Sequence, residues 1–515
     1  MRRSISSCFA LAPLLLVAQA GTLDPSFSDD GLLTSDLLSF DDEVHAVAVQ
    51  PDGRIIGAGW TEDGTHVIAF VQRFLDNGDP DPSFGTAGQV HSASAQELRY
   101  AYAVGVQSTG RIIVAGLVYD INLDGNAMLL GFLPDGTPDP DFGDNGFVSS
   151  PYNAEFGFQS AWAMRILPDD RIVVVGEEGE SGIACARFSA DGELDPGFGT
   201  NGVSVTGVPF STGLCLEVQN DGQVIVGGYH IAGKEGSDWL LARFDEAGLL
   251  DPDFGDAGVT TIDVGGGATE FMRGMSLLED GRISVCGHRS FSGSDDQPIV
   301  GLFESNGAPD MDFGTGGIEF LPYFTPQWGQ ARAILAQPDG KLLVSGFRVQ
   351  TGGPANNDFF LMRLLDDGSL DASFADEGLV HTDVSGSYDR AFDMAMDQED
   401  RIIVAGYGTG TARVASYARY LNDIGTSLPE GTTEILHVFP QPATEQINIH
   451  LDGTWAGPFT ASLLALDGSL VRREGWSATG INRMHLPADL VQGVYVLEIR
   501  ASDRVLRSKV MVMRR

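Results

Sequence analysis

Seven residues at one recurring position hold most of the chemistry that this sequence offers. They stand nine residues before Arg54, Arg111, Arg171, Gln223, Arg282, Lys341 and Arg401, and they are His45, Tyr102, Trp162, Leu214, Arg273, Arg332 and Phe392. The next position is mostly small: Ala46, Ala103, Ala163, Cys215, Gly274 and Ala333. Further aromatic residues crowd the neighbouring segments, namely Tyr100, Tyr152, Phe156, Phe158, Phe210, Phe271, Phe324, Trp328 and Tyr388. Aromatic faces beside guanidinium groups suit a sugar or a peptide ligand. Side chains of this size also suit packing between repeated units at a rim. Catalysis has no comparable signature. The chain has no GxSxG, HExxH, P-loop or CxxC motif, and its 9 histidines are scattered. Pairs of carboxylates abound, but in so acidic a chain chance supplies them. No catalytic residue is assigned. Asp76–Asp81 and Asn122–Ala127 look like calcium loops, yet both lack the later bidentate Glu of an EF-hand. No cofactor or metal is therefore expected, with Ca²⁺ as the one alternative.

The elements that position these residues come from a repeat. A phrase of the form "LDPSFGxxG" occurs seven times, with its Phe at 27, 84, 142, 198, 254, 313 and 374. A Gly follows each Phe by four residues, at 31, 88, 146, 202, 258, 317 and 378. Between these phrases runs a second one, of which "AVAVQPDGRIIGAG" is the first copy: a short apolar strand, a Pro-Asp-Gly turn, and a strand rich in Ile and Val. That second strand reads as ending in Gly at 59, 116, 176, 228, 287, 346 and 406. A third phrase, "LLARFDEAG" in one copy, carries Arg in five of its seven copies: Arg73, Arg187, Arg243, Arg363 and Arg419. Each period of about 57 residues thus holds four short strands and no helical pattern, which predicts an all-β, seven-bladed propeller over residues 21–421. A linear solenoid is disfavoured because no terminal repeat has a polar cap. Gly21–Asp36 either completes the last unit or opens the first. The phrase itself reads as an assembly signal: its Asp and Pro open a turn, and its Phe drops between units.

These phrases resemble the delta-60 repeat family, whose repeats carry "LDxSFGxxG" and "QxDGKIlvaG". The resemblance covers residues 22 to about 421. It departs at Asp310-Met311 and Ala375 in the first phrase, and at Asp169-Asp170 and Glu399-Asp400 in the turn. It implies an extracellular, propeller-like bacterial domain and brings no catalytic residues.

After a polar stretch read as a linker (422–435), residues 436–515 give short alternating strands joined by Asp-Gly and Ser-Asp turns, which predicts a small β-sandwich. Phe439-Pro440-Gln441-Pro442, Leu466-Asp467-Gly468, Gly493-Val494-Tyr495 and Lys509 resemble the type A sorting domain of the type IX secretion system. Pro440, Pro442, Gly493, Tyr495 and Lys509 carry that resemblance, and Gln441 stands where the family usually has Asn. The resemblance implies a Bacteroidota-type host, passage across the outer membrane, the secretion machinery as partner, and a sortase that removes the tail. An ordinary adhesive Ig-like module is the alternative.

The N-terminus has a basic start (Arg2, Arg3), a short apolar core and Ala18-Gln19-Ala20, which reads as a signal peptide over 1–20 cleaved between Ala20 and Gly21. The apolar run is too short to span a membrane, and no later segment qualifies. Residues 21–428 hold 62 acidic and 20 basic side chains, a net of −42, whereas 436–515 hold 7 and 9, a net of +2. A field of that sign repels nucleic acid and anionic membrane, so neither is expected as a partner. Cys185, Cys215 and Cys286 read as buried thiols, with a Cys185–Cys215 bridge as the alternative. The sequence is best read as a secreted or cell-surface, non-enzymatic binding module for polysaccharide or protein. His45, Tyr102, Trp162, Arg273, Arg332, Phe392 and Trp328, on the face of the variable loops, are its candidate ligand-binding residues. A structural matrix component and a polysaccharide-active enzyme using funnel carboxylates are the alternatives.

Overall fold

The Asp-Gly turns close tight hairpins. In the first, Gly53 takes φ +86° and its N–H donates to Gln50 O at 2.9 Å, while Gln50 N–H donates to Arg54 O at 2.8 Å. Where the sequence departs from Gly, Asp170 (φ +68°) and Asp400 (φ +64°) adopt the same left-handed backbone, so the turn survives at a strain of about 1–2 kcal/mol each. The computed structural model describes residues 20–512 except 93–96, 121–123, 150–158, 179–180, 232–235, 266, 291–295, 322–327, 351–355, 423–435, 440–445, 452–458, 465–469, 477–479, 488–489, 491–492 and 501–504. Within it the chain divides into two units, residues 1–422 and 423–515.

The first unit is a ring of seven four-stranded antiparallel sheets. The first sheet runs Asp42–Val49, Ile55–Glu62, Val67–Phe74, Gln89–Ser92 from inside to outside, and the later ones repeat it. The inner strands of the other sheets are Leu98–Val106, Ala163–Ile166, Ser211–Val218, Thr269–Leu277, Gly329–Ala336 and Arg390–Met396. A single parallel bridge, Ser237 to Thr269, joins the fourth sheet to the fifth. The last sheet takes its outer strand from the N-terminus, with Leu32–Ser35 antiparallel to Arg413–Tyr420. Gly21–Asp36 therefore completes the last sheet, one of the two readings left open by the sequence. The second strand of each hairpin runs past the recurring Gly; in the first sheet it continues from Gly59 to Glu62. Seven separate apolar clusters fill the seven gaps between neighbouring sheets.

The "LDPSFGxxG" phrase fastens each sheet to the next. All seven Phe side chains are fully buried, worth about 1.5–3 kcal/mol each. The residue after each Phe donates its N–H across the gap: Ser28 to Asn77 O, Gly85 to Asp135 O, Gly143 to Asp191 O, Gly199 to Ala247 O, Gly255 to Asn306 O, Gly314 to Asp367 O and Ala375 to Ala20 O, at 2.7–3.0 Å. Ala20 is buried in the last of these gaps, so cleavage before Gly21 would remove the seventh acceptor.

The phrase's Asp and the recurring Arg form a latch. Asp81 accepts from Arg73 Nε at 2.8 Å, from Arg54 Nε at 2.9 Å and from Ser83 N at 2.9 Å, and Arg73 lies over the Phe84 ring at 4.6 Å. Arg73 Nη1 then reaches Pro134 O of the next repeat at 2.6 Å. Burial pushes the Asp81 carboxyl upward, but Ser83 and the guanidinium outweigh it and hold it at about 2. The two repeats without this Arg carry Gly131 and Leu302 in its place. There the turn arginines take over: Arg111 bonds Asp139 and Asp191, and Arg282 bonds Asp310 and Asp366.

The second unit has two antiparallel sheets. One holds Leu436–Phe439, Gln446–Leu451 and Gly480–His485; the other holds Leu470–Trp476, Phe459–Leu464, Gly493–Arg500 and Val505–Val512. Ile447, Ile449 and Met484 of the first and Ala461, Leu463, Leu497 and Ile499 of the second share one buried core. Tyr495 is buried in that core, while Gly493 opens a strand and Lys509 lies on the last one. Pro440 and Pro442, like most of the signal segment, lie outside the described residues.

Candidate ligand site in the central channel

Six of the seven inner strands slip register by one residue, and the slip falls on the singled-out position. The bulged residues are His45, Tyr102, Leu214, Arg273, Arg332 and Phe392. Trp162 immediately precedes its own strand and donates its N–H to Val175 O at 2.9 Å. A bulge re-aims side chains, and the six bulged residues, together with Trp162, line the central channel, a cavity of about 620 Å³. They line the channel itself, neither the loop face nor the gaps between sheets. Trp328 is not among the lining residues; it lies half-buried just before its inner strand. Tyr152, Phe156, Phe158 and Phe324 fall outside the described residues.

The recurring Gly explains itself at the bulge. It sits opposite the slip, and a Cβ at Gly59, Gly116, Gly228, Gly287, Gly346 or Gly406 would come 1.8–2.0 Å from a backbone carbonyl oxygen of the inner strand. The bulged strand crosses where that side chain would be, so only glycine fits.

The lining divides into two arcs. Around the ring, Phe392, His45, Tyr102 and Trp162 are consecutive. His45 stacks on Phe392 with centroids 4.4 Å apart and planes at 9°, and Tyr102 stacks on Trp162 at 4.4 Å and 26°. His45 meets Tyr102 edge-on at 5.3 Å. Trp60 and Tyr100 back this arc, with Trp60 Nε1 donating to His45 Nε2 at 3.1 Å. Leu214 separates it from the second arc, which holds Arg273 and Arg332 and, from the start of the seventh inner strand, Arg390. These guanidinium groups lie against aromatic rings: Arg273 over Phe271 at 5.0 Å, Arg332 over Phe392 at 5.3 Å, Arg390 over Phe347 at 4.7 Å. Burial, then repulsion from Arg273 and Arg390, lowers the Arg332 guanidinium to about 9. Burial also lowers Arg273. His288, stacked on Phe271, is held well below the usual histidine range by burial and by these same arginines.

Sequence reasoning missed several channel residues. Arg165 lines the channel and forms a bidentate pair with Glu217 of the neighbouring inner strand at 2.6 and 3.0 Å. They stand where other repeats have Ala48, Gly105, Ser276, Leu335 and Ala395, so two charges among mostly small residues were the available signal. Asp393 likewise interrupts the small position and accepts from Val47 N at 2.8 Å. Glu43 is held by Arg413. Every carboxylate lining the channel is therefore engaged by a donor of this chain.

Elsewhere, Cys185, Cys215 and Cys286 are free and buried, so the Cys185–Cys215 bridge is not formed; burial pushes the Cys215 thiol up to about 12. In the Asp76–Asp81 stretch, Asp76 and Asp81 are taken by arginines, and Asn122 and Leu123 of the second calcium-like stretch lie outside the described residues. Asp238, Asp263 and Glu270 bring oxygens within 4.8 Å of one another. Glu270, however, accepts from Val264 N at 3.0 Å, as Asp42 does from Leu37 N and Asp389 from Val384 N, so its place is that of a loop anchor repeated in three sheets.

Comparison with known proteins agrees with this architecture. Residues 50–84, 167–198, 219–254 and 337–374 match a family described as a domain of unknown function (DUF5122) β-propeller. Residues 437–513 match a secretion system C-terminal sorting domain. Among solved structures, a Dyadobacter fermentans protein of unknown function is similar at 12% identity and TM-score 0.37 over 76% of this chain and 99% of that one. A Penicillium chrysogenum α-L-arabinanase complexed with arabinobiose reaches 11% and 0.39 over 76% and 96%. Chaetomium thermophilum Sqt1 bound to the N-terminus of ribosomal protein L10 reaches 12% and 0.39 over 75% and 98%. Likeness of that size says nothing of ligand or reaction. No curated protein matches the sequence. No helix among the described residues is long and apolar enough to cross a membrane. The chain carries DUF5122 β-propeller repeats of the delta-60 kind followed by a type IX C-terminal sorting domain, the equipment of a protein exported to the cell surface or secreted.

Proposed function

We propose that this exported propeller is a non-enzymatic binding module whose ligand, a polysaccharide or a protein, enters the central channel. The observation that carries this reading is the ring of seven bulged or strand-leading residues, because it is where otherwise uniform repeats differ and face one shared space. Four aromatic side chains along one arc and guanidinium groups along the other give a ligand an apolar and a polar wall. The cavity of about 620 Å³ falls within the range of small-molecule and chain-end sites. Binding is preferred to hydrolysis because Glu43, Glu217 and Asp393 are each committed to a partner within the chain. The secretion machinery is the partner implied by the tail.

The test is thermal denaturation of the full protein with a panel of oligosaccharides and peptides. A ligand at a hundredfold excess over Kd stabilises by about 2.7 kcal/mol. We expect a stabilising ligand whose effect disappears in Trp162→Ala and Tyr102→Ala. A shift that survives both substitutions unchanged would place binding elsewhere and end this reading.

A further inference from the structure

The propeller holds 20 basic side chains between residues 21 and 428. Fifteen of them form ion pairs: Arg54, Arg73, Arg99, Arg111, Arg165, Arg171, Arg187, Arg243, Arg282, Lys341, Arg348, Arg363, Arg401, Arg413 and Arg419. Arg289 bonds Gln297, and Lys234 lies outside the described residues. The remaining three are Arg273, Arg332 and Arg390, and all three line the channel. In a chain with 71 acidic side chains, no described carboxylate pairs with any of them. The Nε of each is buried without a hydrogen-bond partner, as is Nε1 of Trp162 across the channel.

Three mutually repelling cations gathered in a desolvated place are unfavourable unless something compensates them. Their aromatic neighbours, at 4.7–5.3 Å from guanidinium carbon to ring centroid, offset part of that cost. A guanidinium matches a planar carboxylate, which takes two parallel N–H bonds from it. The opposite arc brings the aromatic side chains of Phe392, His45, Tyr102 and Trp162 to the cavity, an apolar surface that suits the C–H groups of a sugar. Arg165 and Glu217, three residues further along two neighbouring inner strands, pair with each other and leave the three arginines without a carboxylate.

Resting on the binding reading above, we propose that the channel takes the end of an acidic polysaccharide, with the carboxylate of a uronic acid residue held by Arg273, Arg332 and Arg390 and its ring stacked on Trp162 and Tyr102. The ligand thus supplies the counter-charge that the chain withholds.

The test is calorimetric titration of the full protein with trisaccharides of galacturonic, glucuronic and mannuronic acid, each also as its uncharged methyl ester, and with an acidic hexapeptide. We expect one uronide to bind, its methyl ester to bind at least tenfold more weakly, and Arg332→Gln and Arg390→Gln to erase that preference. Trp162→Ala should weaken acid and ester alike. In the absence of ligand, Arg332→Gln should keep or raise the melting temperature, because it removes an unpaired charge; this separates a lost ligand contact from a damaged fold. If ester and acid bind equally, or the arginine variants keep the preference, the anion assignment is wrong while the channel reading stands. If the hexapeptide binds through the same arginines and no uronide does, the ligand is a protein. If none of these probes binds, the uronide assignment fails, and the panel of neutral sugars and peptides above decides the wider reading alone.

Discussion

Replacing Gly116 by Ala tests whether the bulge builds the site. A Cβ at Gly116 would lie 1.9 Å from Tyr100 O, 2.9 Å from Tyr100 C and 3.0 Å from Ala101 Cα. An ordinary contact begins near 3.4 Å, so the two strands must part by about 1.5 Å (3.4 − 1.9), and the obstacle is backbone that no rotamer change can move aside. Overpacking of this sort costs about 1–3 kcal/mol, and a backbone obstacle argues for the upper end. Unfolding entropy is about 2.1 cal/mol/K per residue, so for a ring of roughly 400 residues melting as one unit, 3 kcal/mol lowers Tm by about 4 °C. Two controls calibrate the measurement by scanning calorimetry. Gly410 has open space for a Cβ and no left-handed φ, so Gly410→Ala should stay within about 0.5 kcal/mol of the parent. Gly340 also has space but sits at φ +86°, so Gly340→Ala should lose about 1–2 kcal/mol from strain alone. Because Tyr102 follows the displaced segment and stacks on Trp162 at 4.4 Å, Gly116→Ala should also weaken saccharide binding, which neither control should do. If Gly116→Ala melts no lower than Gly340→Ala and binds normally, the bulge is not what fixes the glycine.

Two further outcomes concern the shell and the loop anchors. Arg243 is the sole described cation on buried Asp251, because the turn residue there is Gln223, so Arg243→Met should cost about 3–5 kcal/mol; Arg73→Met should cost less in chemical denaturation, since Arg54 stays on Asp81. Burial, with Asp263 and Asp238 adding to it, raises Glu270 to about 7 against the Val264 N–H and Arg289, so the parent should gain up to roughly 3 kcal/mol relative to Glu270→Gln as the pH falls from about 7 to about 4.5. The sign follows from a folded value above the unfolded one: that contribution is complete when the carboxyl is protonated in both states and is lost as the pH rises. A difference between the two proteins that does not change with pH would remove Glu270 from the list of titrating groups.

The ring of sheets was readable because its signals repeat in register. A Phe that must be buried, a Gly that must take positive φ and an Asp that accepts from the backbone N–H two residues on each recur at one spacing, and the turns persist where Asp170 and Asp400 replace Gly. The seven-residue ring was readable as a contrast between large and small neighbours. Its direction was not. Strand alternation assigns faces by parity, and a one-residue bulge breaks parity at the very position in question. Arg390 escaped notice because its position varies freely, from Glu43 and Tyr100 to Phe271 and Gln330. The missing ion pairs were invisible for a different reason. With 62 acidic residues in the propeller, a sequence suggests a carboxylate beside every arginine, and only coordinates reveal three that lack one.

That contrast divides the arginines of this chain into two kinds. Arg419 stands for the first: fully buried, bonded to Asp24 at 2.8 Å and to Asp76, and lying over Phe27 at 4.7 Å. Its charge is matched within the chain, so it adds to assembly and leaves nothing over for a ligand. Arg332 has the same aromatic backing and no ion pair, Asp296 attracting it only from further off. The architecture thus uses one device, a guanidinium lying against an aromatic side chain, both to close the ring from outside and to charge its centre. What separates the two uses is one acidic residue: the phrase "LDPSFG" brings an Asp to each latch arginine, whereas the inner-strand carboxylates Glu43 and Asp393 are engaged by Arg413 and by Val47 N–H. A counter-charge introduced there should therefore convert the second kind into the first. Leu214 lies next to Arg273 in the ring, so Leu214→Glu should pair with it, raise stability, and abolish uptake of an anionic ligand while leaving the outer latches untouched. Measured together, Tm and uronide affinity should move in opposite directions; if both fall, the channel arginines are not short of a counter-charge.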